Sequence, residues 1–208
     1  YRKDEFVVLT LTFLATLFVG IKEGILIGVL FSLLLMVYRT SNPHVAVLGN
    51  IKNSSYYKNV HRFGDAVTLR DDLLIVRFDS QIYFGNADYF KKQLMKHVRN
   101  KGTGLKAVIL NAEPINYIDS TGAVALRRVI YEIHDRGLQF YLTGAIGPTR
   151  DILYSSGLID VLKTEYLFAE INDAVAYYEN PEAVSDLQLK VAHQNQMGVT
   201  KVTEPKKN

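Results

Sequence analysis

The sequence contains no cysteine. That excludes a disulfide framework and any thiolate-ligated metal. It also lacks a strong charge of either sign: the formal net charge is +3 over 208 residues, too small to drive nucleic-acid binding. His61, His97, His134 and His193 show no metal-ligand spacing, so neither zinc nor any other cofactor is expected. No nucleophile is paired with a base. Ser120 has no histidine beside it, and His134 lies further along the same predicted helix, so an enzyme is not expected. No internal repeat is present. The chain starts at Tyr1 rather than methionine, which points to a piece of a longer protein with its main chemistry upstream.

Charge is scarcest at the start. Residues 6–38 carry only Lys22 and Glu23. One apolar run spans residues 6–19 and a second spans residues 24–38, and neither has a polar face at helical spacing. Helices apolar all round belong in a membrane or deep in a large core. Each run is about 15 residues, or roughly 22 Å of helix, whereas a full crossing takes about 20 residues. A secretory signal would show one such run and a cleavage site. A hairpin buried in a soluble protein would need a large partner surface. The pattern instead predicts a membrane hairpin turning at residues 20–24, its short segments sheltered by other helices. Arg2, Lys3 and Arg39 put both outer ends in the cytoplasm and the Lys22-Glu23 turn outside.

Beyond residues 40–43, a polar exit ending at Pro43, the pattern changes to α/β. Strands are predicted over 44–51, 73–78, 106–110 and 139–143, with residues 81–84 continuing an extended run and 165–168 a further extended stretch. Helices are predicted over 87–99, capped by Asn86, over 119–135, 148–156 and 171–179. The expected fold is therefore a mainly β-sheet core flanked by helices, preceded by an α-helical hairpin. The polar tail over 181–208 is expected to be disordered.

Several stretches together resemble one family. Glu23-Gly24-Ile25-Leu26-Ile27-Gly28-Val29-Leu30, then Ser32 and an apolar run to Arg39, resembles the final membrane segment of sulfate permease (SulP) anion transporters. Asn42-Pro43 and Val47-Leu48-Gly49 resemble the exit into their cytoplasmic part. Ile82-Tyr83-Phe84-Gly85-Asn86-Ala87, followed by Tyr89-Phe90, and Ile118-Asp119-Ser120-Thr121-Gly122 resemble two junctions of the STAS domain. The resemblance implies a secondary active, sulfate-type anion transporter of fourteen segments in two inverted repeats. Residues 1–40 would be the last two segments, in the gate domain, and 41–180 a cytoplasmic STAS domain serving regulation or assembly. The partners implied are the lipid bilayer of the inner (plasma) membrane, the upstream core domain that holds the substrate site, a second copy in a homodimer, and a cytoplasmic regulatory protein. An alternative is a free-standing STAS regulator of the anti-sigma antagonist type, for which the apolar hairpin has no use.

One loop remains as a candidate site. Asp119, Ser120, Thr121 and Gly122 open a helix, where free backbone N–H groups favour an anion. Asp119 or Ser120 would cap the helix, and Gly122 would permit close packing. In anti-sigma antagonists the serine following this aspartate is phosphorylated, so the resemblance makes Ser120 a regulatory candidate; phosphate there adds close to two negative charges. The basic group Lys91, Lys92, Lys96, His97, Arg99 and Lys101 reads as a solvated helix face ahead of a lipid or acidic-partner surface.

Overall fold

The computed structural model describes residues 3–52 and 54–182. Arg2 and residues 183–208, most of the expected disordered tail, lie outside the described residues. The chain divides into two compact units, Tyr1–Asn42 and Pro43–Asn208.

The first unit is a pair of helices, α1 (Lys3–Phe18) and α2 (Ile21–Ser41). The turn is tighter than the sequence predicts. Gly20 alone takes the unusual backbone, at φ 140°, so Lys22 and Glu23 fall inside the first turn of α2. The far end is also longer than predicted. The Thr40 hydroxyl donates back to the Met36 and Val37 carbonyls, and the Asn42 amide closes onto Tyr38 O at 3.0 Å. Polar residues thus extend the helix up to Pro43 instead of ending it. At 21 residues, α2 is long and apolar enough to cross a membrane. At 16 residues α1 is not, since a crossing needs about 20.

The two helices meet through small residues. A Cβ on Gly24 would stand 2.6 Å from Thr16 Cα, and one on Gly28 would stand 2.7 Å from Thr12 Cγ2. The threonines face this seam without leaving a hydroxyl unsatisfied, because Thr12 and Thr16 donate to the carbonyls of Val8 and Thr12, each at 2.8 Å. Such stripes let helix backbones approach closely where water cannot drive association. At the open end Arg39 pairs with Asp4 at 2.5 Å and Glu5 at 3.0 Å, tying the two helices together.

The second unit is one seven-stranded sheet. Its strands are β1 (Val45–Ile51), β2 (Tyr57–Asn59), β3 (Val67–Thr68), β4 (Leu73–Phe78), β5 (Ala107–Asn111), β6 (Gln139–Thr143) and β7 (Leu167–Phe168). The order is β2-β1-β4-β5-β6-β7, with β3 on β1. β4 to β7 are parallel and β1 is antiparallel to β4. A short helix, α3 (Val60–Phe63), follows β2. Between the parallel strands run α4 (Ala87–Lys101), α5 (Ser120–Asp135), α6 (Gly147–Ser155) and α7 (Leu158–Leu162), and α8 (Ile171–Glu179) closes the fold.

β5 lies at the centre, as its composition predicts. All five of its residues are buried. Val108 and Leu110 enter the core shared with α4, α5, α6 and α7. Ala107 and Ile109 enter the opposite core with Tyr141, Phe168 and Ala174 of α8. Period-2 alternation with both sets apolar is what a strand covered on two faces requires.

Two predicted extended stretches are shorter than expected. Only Ile82 of residues 81–84 pairs, in a single bridge to Ile118, because the chain turns at Phe84-Gly85-Asn86. Of residues 165–168 only Leu167 and Phe168 form a strand, the preceding residues closing a 3-10 turn. Residues 158–162, which precede it, form α7.

Truncating Ile109 to alanine removes a fully buried side chain from the middle of the sheet. Ile109→Ala should lower unfolding stability by about 2–5 kcal/mol, read by denaturant titration, and an unchanged midpoint would contradict burial on that face. Gly24→Leu should disrupt the pairing of α1 with α2, read as loss of a crosslink between cysteines placed at residues 13 and 29.

Candidate functional site

The Asp119 loop is assembled from two segments. After β4 the chain reaches Ile82, whose N–H donates to Tyr117 O at 3.0 Å; Asp119 N returns a bond to Ile82 O at 3.1 Å. This bridge holds the Tyr83-Phe84 turn against the entry of α5. The Asp119 carboxylate then accepts from both sides. Oδ1 takes Gly122 N–H at 2.7 Å, and Oδ2 takes Phe84 N–H at 2.8 Å. One carboxylate thus caps α5 and clamps the facing turn.

The two capping alternatives are resolved in favour of Asp119. Its extended backbone at φ −85°, ψ 179° is the N-cap geometry. Ser120 is the first helical residue and is exposed. Its hydroxyl forms no hydrogen bond among the described residues. Thr121 is exposed beside it, while Gly122 is buried. A Cβ on Gly122 would stand 2.9 Å from the Ile82 carbonyl carbon, so only glycine admits this approach of helix to strand.

Asn86 departs from its expected role. It stands at the N-cap of α4 but does not cap it. Its buried side chain turns back, accepting from Tyr83 N–H at 3.0 Å and donating to Gln81 O at 2.9 Å. It therefore shapes the turn that Asp119 clamps. Sequence reasoning misses this, since an asparagine before a helix reads as a forward cap. It also misses Phe84 and Tyr117, apolar-bodied side chains 76% and 49% exposed on the same two segments, and Val124, 48% exposed on the next turn of α5. An aromatic residue followed by Gly-Asn, where a turn must be solvent-facing, was the available signal.

The basic group on α4 lies largely at the surface. Lys92, Lys96 and Arg99 are exposed, and Lys91 pairs with Glu132 of α5 at 3.4 Å. Partial burial, followed by the neighbouring Lys96 charge, holds the His97 pKa below its ordinary value. Burial, then Lys163, does the same to His134. Among the described residues no group of three or more His, Asp or Glu side chains could hold a metal ion.

Comparison with known proteins agrees with the fold. The family described as "STAS domain" matches residues 66–174. The chain is 35% identical over 186 residues to "Probable sulfate transporter 4.2" of Arabidopsis thaliana, covering 83% of this chain and 27% of that protein. It is 34% identical over 185 residues to "Sulfate transporter 4.1, chloroplastic" of the same plant, covering 83% of this chain and 26% of the other. The chain thus spans about a quarter of the length of these relatives. Among solved structures, the murine Solute Carrier 26 family member A9 anion transporter superposes with a TM-score of 0.75 at 21% identity, over 86% of this chain and 29% of that one. At that identity the likeness is one of fold.

Asp119 and Ser120 should separate in a melting experiment. Asp119→Ala loses the cap and the Phe84 bond and should cost about 1–2 kcal/mol, whereas Ser120→Ala should lie within about 0.5 kcal/mol of the parent. Equal losses would mean that the serine shares the cap. The two histidines give a pH test. Their folded pKa values lie below the ordinary one of 6.5, so the folded state binds fewer protons and its stability is fully present above that pH. The melting temperature should fall as pH drops from 7 towards 5, and His97→Gln should flatten the slope.

Proposed function

Since this chain belongs to the STAS domain family, we propose that it is the C-terminal part of a secondary active inorganic anion transporter of the sulfate type. In this reading residues 1–40 hold the last two membrane segments, α1 and α2, the latter running on to Ser41. Residues 41–180 are a cytoplasmic domain serving regulation or assembly in a homodimer. The observation that carries it is the order of parts. An apolar hairpin with a membrane-length helix leads directly into the STAS sheet, and the likeness to plant sulfate transporters extends over 83% of the chain. A free-standing regulator has no use for such a hairpin. The substrate site belongs to the upstream core domain, and the bilayer and that domain cover the apolar helices.

Within this reading the Asp119 loop is a regulatory surface. The Ser120 hydroxyl is exposed and spends itself on no structural bond. Phe84, Tyr117 and Val124 offer apolar area around it. Phosphate on Ser120 would add close to two negative charges next to the Asp119 carboxylate, altering the surface presented to a cytoplasmic partner without removing the cap.

Radiolabelled sulfate uptake by the full-length protein tests the substrate class; uptake at background levels, with the protein present in the membrane, would reject it. Ser120→Glu should change the uptake rate several-fold while Ser120→Ala leaves it within twofold. Parent-like uptake by both variants at equal membrane abundance would make Ser120 structural. For topology, the chain has no native cysteine, so Lys22→Cys should react with an impermeant thiol reagent from outside and Lys163→Cys should not.

A further inference from the structure

The sheet face under α8 is apolar until its last row. Leu73 and Ile75 of β4, Ala107 and Ile109 of β5 and Tyr141 of β6 all join that core. One pair of residues further along each strand, all three turn polar together. Arg77, Asn111 and Thr143 are direct partners in the parallel register and line a cleft of about 510 Å³ at the carboxyl ends of the strands. The β1-β2 hairpin contributes Lys58 as one wall and the start of α8 contributes Asn172 as another; Glu113 closes the rim. None of the Asp119 loop takes part.

These groups are only partly used by the protein. Arg77 donates through Nε and Nη2 to Asp79 at 2.5 and 3.2 Å, leaving Nη1 without a partner among the described residues. Asn111 Oδ1 accepts from Glu113 N–H at 2.9 Å, which leaves its Nδ2 as a donor. Asn172 Nδ2 donates to Ser55 O at 2.8 Å, which leaves its Oδ1 as an acceptor. The Lys58 ammonium and the Glu113 carboxylate make no ion pair among the described residues. Thr143 is 1% exposed, and its hydroxyl is buried with no hydrogen-bond partner. A buried orphan hydroxyl is destabilising unless something outside the chain completes it. Gly144, at φ 68°, ends β6 over the floor; a side chain there would press within 3.2 Å of the Asn111 amide oxygen.

We propose that this cleft binds a small zwitterion of the amino-acid class. Arg77 Nη1 and Lys58 would receive its carboxylate, Glu113 its ammonium, and Asn111, Asn172 and Thr143 its polar remainder. Lys58 and Glu113, charges of opposite sign with no ion pair among the described residues, stand around a polar floor and match a ligand carrying both signs, whereas a bare anion would be repelled by the Glu113 carboxylate. Concave sites of this volume with a few convergent polar groups are the usual form of small-molecule sites.

The test is isothermal titration of the whole chain in detergent with each of the twenty common amino acids singly, with succinate and putrescine as matched dianion and dication. At least one amino acid should bind saturably at one per chain, tenfold or more tightly than either control. Arg77→Gln and Glu113→Gln should each weaken it at least tenfold, while Lys92→Gln on α4 stays within twofold. Thr143→Val replaces the hydroxyl with a methyl; it should weaken binding threefold or more without lowering the melting temperature, which separates a ligand contact from a folding defect. Absence of saturable binding by every amino acid, or binding by succinate or putrescine as tight as that of the best amino acid, would overturn the proposal. So would parent-like affinity in folded Arg77→Gln and Glu113→Gln.

Discussion

The second unit depends on burying β5 from both sides. A strand with Val108 and Leu110 on one face and Ala107 and Ile109 on the other cannot stop at a two-layer arrangement. It needs helices above and below, because either apolar face left open would forfeit about 25 cal/mol for each Å² of apolar surface left in water. The crossover helices between parallel strands cover one face as a matter of connectivity. Among the described residues the other face is covered by α8 alone, a helix of nine residues. That asymmetry explains the aromatic density there. Tyr141 packs edge-on against Tyr166, Phe168 and Tyr177, with ring centroids 5.4–6.1 Å apart, so large rings make up for the short helix. It also leaves the last row of the sheet uncovered, where the strands turn polar.

The Asp119 carboxylate holds the entry of α5 together by a different means. It satisfies two backbone N–H groups, one on its own helix and one 35 residues back in the chain, and so replaces the sheet bonds that stop after the Ile82–Ile118 bridge. Because the aspartate carries the cap and the clamp, the neighbouring serine is released from structural duty. A modification on Ser120 can therefore change the surface charge while the helix start stays intact.

What could be read from the sequence follows the range of the interaction. β4, β5 and β6 were legible because each is a continuous apolar run bounded by turn residues, and α5 because Val129, Ile130 and Ile133 repeat at helical spacing. The family pattern was legible at Gly122, though the reason for glycine, contact with the Ile82 carbonyl, appears only when the two segments meet. Residues 52–72 gave no signal. β2 and β3 are three and two residues long, too short to show alternation, and exist only because β1 offers an edge. Asn86 was misread because its side chain has two competing backbone targets at similar sequence distance. The row Arg77, Asn111 and Thr143 was invisible, since register between strands 32 or more positions apart is a property of the fold and of no local window.

The strand order has a consequence for synthesis. β4 pairs with the earlier β1, and β5, β6 and β7 each pair with the sheet strand made just before, so every new parallel strand finds its template already outside the ribosome. The sheet can thus grow in the direction of translation, with short waits between partners. Its second face cannot be closed on the same schedule. Leu73, Ile75, Ala107, Ile109 and Tyr141 accumulate side by side while Ile171–Glu179 is still being made. A ribosome that stalls before that helix holds a nearly complete sheet with one greasy side bare, and such a nascent chain is the form in which this protein most needs a chaperone.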